Sequence, residues 1–194
     1  MEITSAQLKE LRDKTGISVM QCKRALEEAG GDMDKAVIIL KKKRSEAAEK
    51  KSDRELGAGS VGVYVHNTNE VASMVLLACE TDFVSKNPEF IALAKEIAMQ
   101  VAATSPTFIN RSEVSEEIIQ KAKEVFAPEV EGKPEEMKEK IMEGKLSAYF
   151  KDQVLMEQPF IKNPDVSISE MVNGAVQKFG ENVAIVKISR VAVK

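Results

Sequence analysis

A chain of 194 residues that is 43% hydrophobic and 30% charged can bury one medium core, or a small module beside a larger one, which excludes disorder. Its 28 Lys and Arg against 31 Asp and Glu give a formal net charge of −3, which argues against a protein that coats phosphate backbones, so no direct nucleic-acid partner is expected. The longest unbroken apolar run, Met74 to Cys79, is far short of the roughly 20 residues that cross a bilayer, and the opening MEITSAQLKE lacks a signal-peptide pattern, so a cytosolic protein away from membranes is expected.

Residues 1 to 44 read as three short helices. Thr4 with Gln7 forms a capping box before Leu8 and Leu11, and Gly16 ends that helix; Ser18 with Gln21 repeats the device before Met20, Ala25 and Leu26. Gly30 and Gly31 stop the second helix, and Asp32 caps a third with Met33, Ala36, Val37 and Leu40 inside. So small a bundle buries little surface and suits docking better than an enclosed active site.

The run KKKRSEAAEKKSDRE, with seven basic and four acidic residues, is expected as a linker able to extend the third helix. A boundary is placed there, giving a module over 1–54 with net charge +3 and a core over 55–194 with −6. In the core, Ser60 to Val65 and Val71 to Cys79 read as a β-hairpin, and Asn182 to Val193 as a third strand. Between them, Asn87 and Pro88 open one helix with a stripe of Phe90, Leu93, Ala94, Ile97 and Val101, and Ser167 with Glu170 opens another that ends at Gly180. Residues 116 to 156, with a turn at EGKP, read as a protruding helical hairpin. The expected class is α+β: an N-terminal three-helix bundle, a linker, then a small antiparallel sheet of about three strands covered by helices on one face.

Several tempting signals carry no chemistry. GAGSVG satisfies G-x-G-x-x-G, but a strand follows it where a dinucleotide site needs a helix N-terminus, so a hinge is expected and no nucleotide cofactor. The lone His66 sits in VGVYVHNTN as a strand-end surface residue. Cys22 and Cys79 lack metal-ligand spacing and are expected reduced; burial would raise the Cys79 thiol pKa, while Lys23 and Arg24 would lower that of Cys22, and neither makes a good nucleophile without a base. No metal site and no enzymatic role are expected.

The informative segment is CETDFVSKNPEF, residues 79 to 90. Either it is a strand-to-helix connection in which Phe83 folds back into the core, gaining about 1.5–3 kcal/mol, or it is a presented tip in which an aromatic anchor stands beside a charge. Burial alone favours the connection.

The run ITSAQLKELRDKTGISVMQCKRALEEAGGDMDKA, then CETDFVSKN, EIAMQVAATSPTFI, EGKPEEMKEKIMEGK and LMEQPFIKNP, resemble the bacterial elongation factor Ts family in the same order and over nearly the whole chain. The length is similar to the short form of that family, which implies a homodimer. The resemblance further implies an exchange factor that binds elongation factor Tu and promotes GDP release, with a ubiquitin-associated-like bundle docking on the partner's GTPase domain through Arg12, Val19, Met20 and Lys23. Methionine is often seen where Val19 stands. Thr81, Asp82, Phe83 and Val84 match the tip that pushes in beside the partner's magnesium and phosphate site. Gln100 stands where many members have histidine and is a further contact candidate. The alternative is an adaptor that holds peptides or helices on the bundle.

Overall fold

The computed structural model describes residues 3–132 and 134–193. Helices α1 (Ser5–Thr15), α2 (Val19–Glu28) and α3 (Met33–Glu49) enclose Leu11, Ile17, Cys22, Ala25, Leu26, Ala36 and Leu40, all buried. Local chemistry sets their ends. Thr4 and Gln7 complete a reciprocal capping box, and Gly16 turns left-handed at φ 67° with its N–H donating to the Arg12 carbonyl. Ser18 caps the Gln21 N–H, whereas the return bond joins the two side chains instead of reaching the Ser18 backbone. The charged linker is helical through Glu49, since α3 runs on to where its basic face meets another helix.

Strands β1 (Ala58–Val65) and β2 (Val71–Cys79) form an antiparallel hairpin, and β5 (Val183–Ala192) joins the other side of β2, with a bulge between Leu76 and Leu77. A one-turn helix α4 (Asp82–Ser85) leads to α5 (Pro88–Thr104), whose Phe90, Ala94, Ile97, Ala98 and Val101 lie on the sheet. Of the GAGSVG glycines, expected as a hinge, Gly59 and Gly62 lie within β1, and Gly62 serves that packing: a Cβ there would lie 2.1 Å from the Ala94 carbonyl oxygen, so only glycine lets α5 come this close. Helix α8 (Ile168–Phe179), with its Ser167–Glu170 capping box and left-handed Gly180, completes the core, and Phe179 meets Phe90 edge to face at 5.9 Å. The opposite sheet face is open. There Val63 pairs with Met74 and Val65 with Ala72, itself opposite Val191, and Val61, Val63, Val65, Met74 and Val191 are all exposed.

Helices α6 (Glu116–Val130) and α7 (Glu135–Gln153) make the hairpin; the EGKP turn includes Lys133, which lies outside the described residues. The small cluster of Val114, Ala122, Phe150 and Val154 sits at its base, where Arg111 grips Glu157 with two hydrogen bonds of 2.8 and 2.6 Å. The one-turn helix α4 was not expected, nor was a second small sheet: β3 (Pro159–Phe160) pairs with β4 (Asn163–Ser167) across LMEQPFIKNP, where prolines mask any strand alternation. The α+β architecture expected from the sequence is the one observed.

Candidate partner-binding site

Beyond Cys79 the chain leaves the sheet through Glu80 and Thr81, makes the single turn α4, and re-enters the core. Val84 and Ser85 are buried, while Phe83 between them and the strand is 86% exposed. The ring therefore does not fold back into the core, although the segment does connect a strand to a helix. A lone exposed apolar side chain is ordinary; what marks Phe83 is the anchoring around it. On one side, the Ser60 hydroxyl donates to the Ser85 carbonyl at 2.5 Å, and the Ser85 hydroxyl donates to the Asp82 carbonyl at 3.2 Å. On the other, the Glu80 and Thr81 backbone N–H groups both donate to Glu181 Oε2, at 3.1 and 3.0 Å, and the Thr81 hydroxyl donates to Oε1 at 2.6 Å. Glu80 replies by accepting from the Asn182 N–H at 2.5 Å and from Arg54 at 3.3 Å.

Charges at the tip follow from these partners. Lys86, four residues on, donates to Asp82 Oδ2 at 2.6 Å and holds that carboxyl below the usual carboxylate range. The Asn182 N–H, helped by Arg54, does the same for Glu80. Asp82 thus pairs with Lys86, the residue just past its own single-turn helix. The Cys79 thiol is fully buried at the strand end and donates to the Thr81 carbonyl; loss of solvation, then the nearby Glu181, pushes its pKa up, so it stays a thiol. Cys22 is likewise fully buried, inside the three-helix bundle.

The residues singled out on the bundle are all exposed: Arg12 lies in the last turn of α1, and Val19, Met20 and Lys23 lie at helical spacing on the first turns of α2, Met20 being 62% exposed. The bundle is held against α8: Arg44 donates to Gln177 at 3.1 Å and to the Thr15 carbonyl at 3.0 Å, and Lys41 meets Glu170 at 2.7 Å. At the end of the linker, Asn182 donates to the carbonyls of Ser52 and Arg54.

Gln100 requires a correction. Its side chain is fully buried, donates to Gln158 Oε1 at 3.0 Å and the Pro159 carbonyl at 3.2 Å, and accepts from the Ile161 N–H at 2.9 Å. It ties α5 to the β3–β4 hairpin and presents nothing to a partner, because it stands three residues after Ile97 on the buried side of α5. His66 lies exposed in the β1–β2 turn beside Thr68, as expected. Among the described residues no group of three or more His, Cys, Asp or Glu side chains is arranged to hold a metal ion, and no helix is long and apolar enough to cross a membrane. Glu80, Glu181 and Asn182 are the tip-supporting residues that sequence reasoning missed; a pairing between residues about a hundred positions apart leaves no local periodicity to read.

The comparison with known proteins agrees with the motifs. A family model described as elongation factor TS matches residues 40–194. The chain is 45% identical over 194 residues to the elongation factor Ts of Thermodesulfovibrio yellowstonii, covering 100% of this chain and 97% of that one. It is 45% identical to that of Carboxydothermus hydrogenoformans, covering 97% and 88% of the two chains, and 44% identical to that of Thermosipho melanesiensis, covering 97% and 95%. With the match spanning both the bundle and the sheet that carries the tip, the chain belongs to the elongation factor Ts family.

Proposed function

We propose that the chain is a nucleotide-exchange factor that binds elongation factor Tu carrying GDP and speeds GDP release. The observation that carries this reading is Phe83, 86% exposed on a turn whose neighbours Val84 and Ser85 are buried. In the free chain that ring forgoes the roughly 1.5–3 kcal/mol that burial would contribute, and a partner pocket recovers it. The mechanism is binding without bond chemistry. A factor that holds the nucleotide-free partner more tightly than the GDP-bound one must lower GDP affinity by the same ratio. The partner's magnesium neutralises the GDP phosphates, so a wedge entering beside that ion, Phe83 presented by Thr81, Asp82 and Val84, weakens the nucleotide's strongest electrostatic anchor.

The module over residues 1–54, with a ubiquitin-associated-like fold, supplies docking through Arg12, Val19, Met20 and Lys23, and the core over 55–194 supplies the wedge. The factor acts as a homodimer. The open apolar sheet face of Val61, Val63, Val65, Met74 and Val191 supports this, because a second copy offers the same face in return. The adaptor reading gives the tip no task. The test is the release rate of a fluorescent GDP analogue from elongation factor Tu with and without this protein: a concentration-dependent acceleration that saturates is expected, and an unchanged rate refutes the proposal.

A further inference from the structure

We infer that Glu181 is a positioning residue for exchange: its carboxylate fixes the direction in which the tip presents Phe83. The inference rests on the wedge reading and adds a residue that makes no use of the partner itself.

The last paired residue of β2 is Cys79, opposite Ala58 on one side and Val183 on the other. The next two backbone N–H groups, of Glu80 and Thr81, have left the ladder, and an unpaired strand end would wander. Glu181 stands two residues before β5, and its side chain reaches back across the sheet end and accepts both N–H groups at 3.1 and 3.0 Å, with the Thr81 hydroxyl at 2.6 Å on its other oxygen. Hydrogen bonds to an ionised acceptor are the strong kind, and three converging on one carboxylate fix a plane as well as a distance. Thr81 is the residue from which α4 starts. Downstream, Val84 packs into the core and Ser60 holds the Ser85 carbonyl, so the turn is pinned at both ends. Phe83 is too exposed for packing to orient it, so the backbone alone sets its direction. Glu181 holds the upstream pin. Remove it, and the ring's approach to a pocket becomes one of several, which lowers the fraction of encounters that insert while leaving the docking surface untouched.

Glu181 thus engages two successive tip amides and the side chain of one of those residues. The reciprocal bond from the Asn182 N–H to Glu80 shows that this corner is cross-braced, since Asn182 also holds the linker carbonyls of Ser52 and Arg54.

The test measures release of a fluorescent GDP analogue from elongation factor Tu across factor concentrations, using the full chain. Glu181→Ala is expected to lower the maximal rate about three- to tenfold with the half-saturating concentration within about twofold, and Glu181→Gln, which keeps one acceptor, to recover part of the rate. Adding Glu181→Ala to Phe83→Ala is expected to cost less than about twofold more, because a positioning residue has nothing left to position. Amide exchange in the free protein should quicken at Thr81 and stay unchanged at Leu77. A full maximal rate for Glu181→Ala beside an impaired Phe83→Ala overturns the role of Glu181 and leaves the wedge standing. A full rate for Phe83→Ala removes the wedge itself. Losses that multiply in the double variant, or protection lost at Leu77 as well, make Glu181 a general strand brace and overturn the inference.

Discussion

The tip and the bundle surface both expose apolar side chains, but they are built differently. Phe83 stands on a single turn stitched into the large core at both ends, by Glu181 before it and by Val84 and the Ser60–Ser85 bond after it. Met20 stands on a ten-residue helix of a small bundle that meets the core through a few polar bonds such as Arg44 to Gln177. The first arrangement delivers one group along a fixed direction. The second, as the proposed docking surface, offers several exposed side chains, Arg12, Val19, Met20 and Lys23, in place of one. Under the proposed exchange by binding energy, this separates the strength of association from the use made of it.

The sharpest way to break the comparison is at the platform beneath the tip. Gly62→Ala drives a Cβ to 2.1 Å from the Ala94 carbonyl oxygen, and backbone cannot swing aside as a long side chain would. We expect about 3 kcal/mol of lost stability, read by urea denaturation, with release activity falling because α5 and the sheet part. A stability within about 0.5 kcal/mol of the native chain would mean that the helix does not sit this close. Next, the triple variant Val19→Ala, Met20→Ala and Lys23→Ala should raise the half-saturating concentration about thirtyfold while leaving the saturated rate nearly native. An unchanged half-saturating concentration would remove the bundle from docking.

The smallest effect tests the brace behind the tip. Glu80 is held below the usual carboxylate range by the Asn182 N–H and Arg54, so its contribution to folding is present above its unfolded pKa and is lost as pH falls through the lower folded value. The native chain should therefore melt above Glu80→Gln by a degree or so, about what one exposed charge-assisted bond gives, at neutral pH, and the gap should close below about pH 4. A gap that is constant across that range would show that the Glu80 charge does not hold the corner.

Much of this molecule was legible because its signals are local. Capping pairs such as Thr4–Gln7 and Ser167–Glu170 and the stripe from Phe90 to Val101 mark their helices within a few residues, and the alternation around β5 marks its strand. The β3–β4 hairpin escaped because its prolines erase alternation over so short a span. Gln100 was misplaced because resemblance alone assigned it a contact, although its spacing from Ile97 already put it on the buried stripe. The direction of Phe83 was undecidable from sequence, since about 1.5–3 kcal/mol of burial argued for one answer and the supports that give the other, Glu181 above all, arrive from the far end of the chain. In GAGSVG the service of Gly62 to the packing of α5 was not legible, because it depends on how closely a distant helix approaches the strand.

We propose that docking and release are carried by different parts of the molecule. The full concentration dependence of GDP release from elongation factor Tu by Phe83→Ala separates the two. We expect a maximal rate reduced about five- to tenfold at a half-saturating concentration that stays within about twofold of native. A native maximal rate, or a loss confined to the half-saturating concentration, would contradict it.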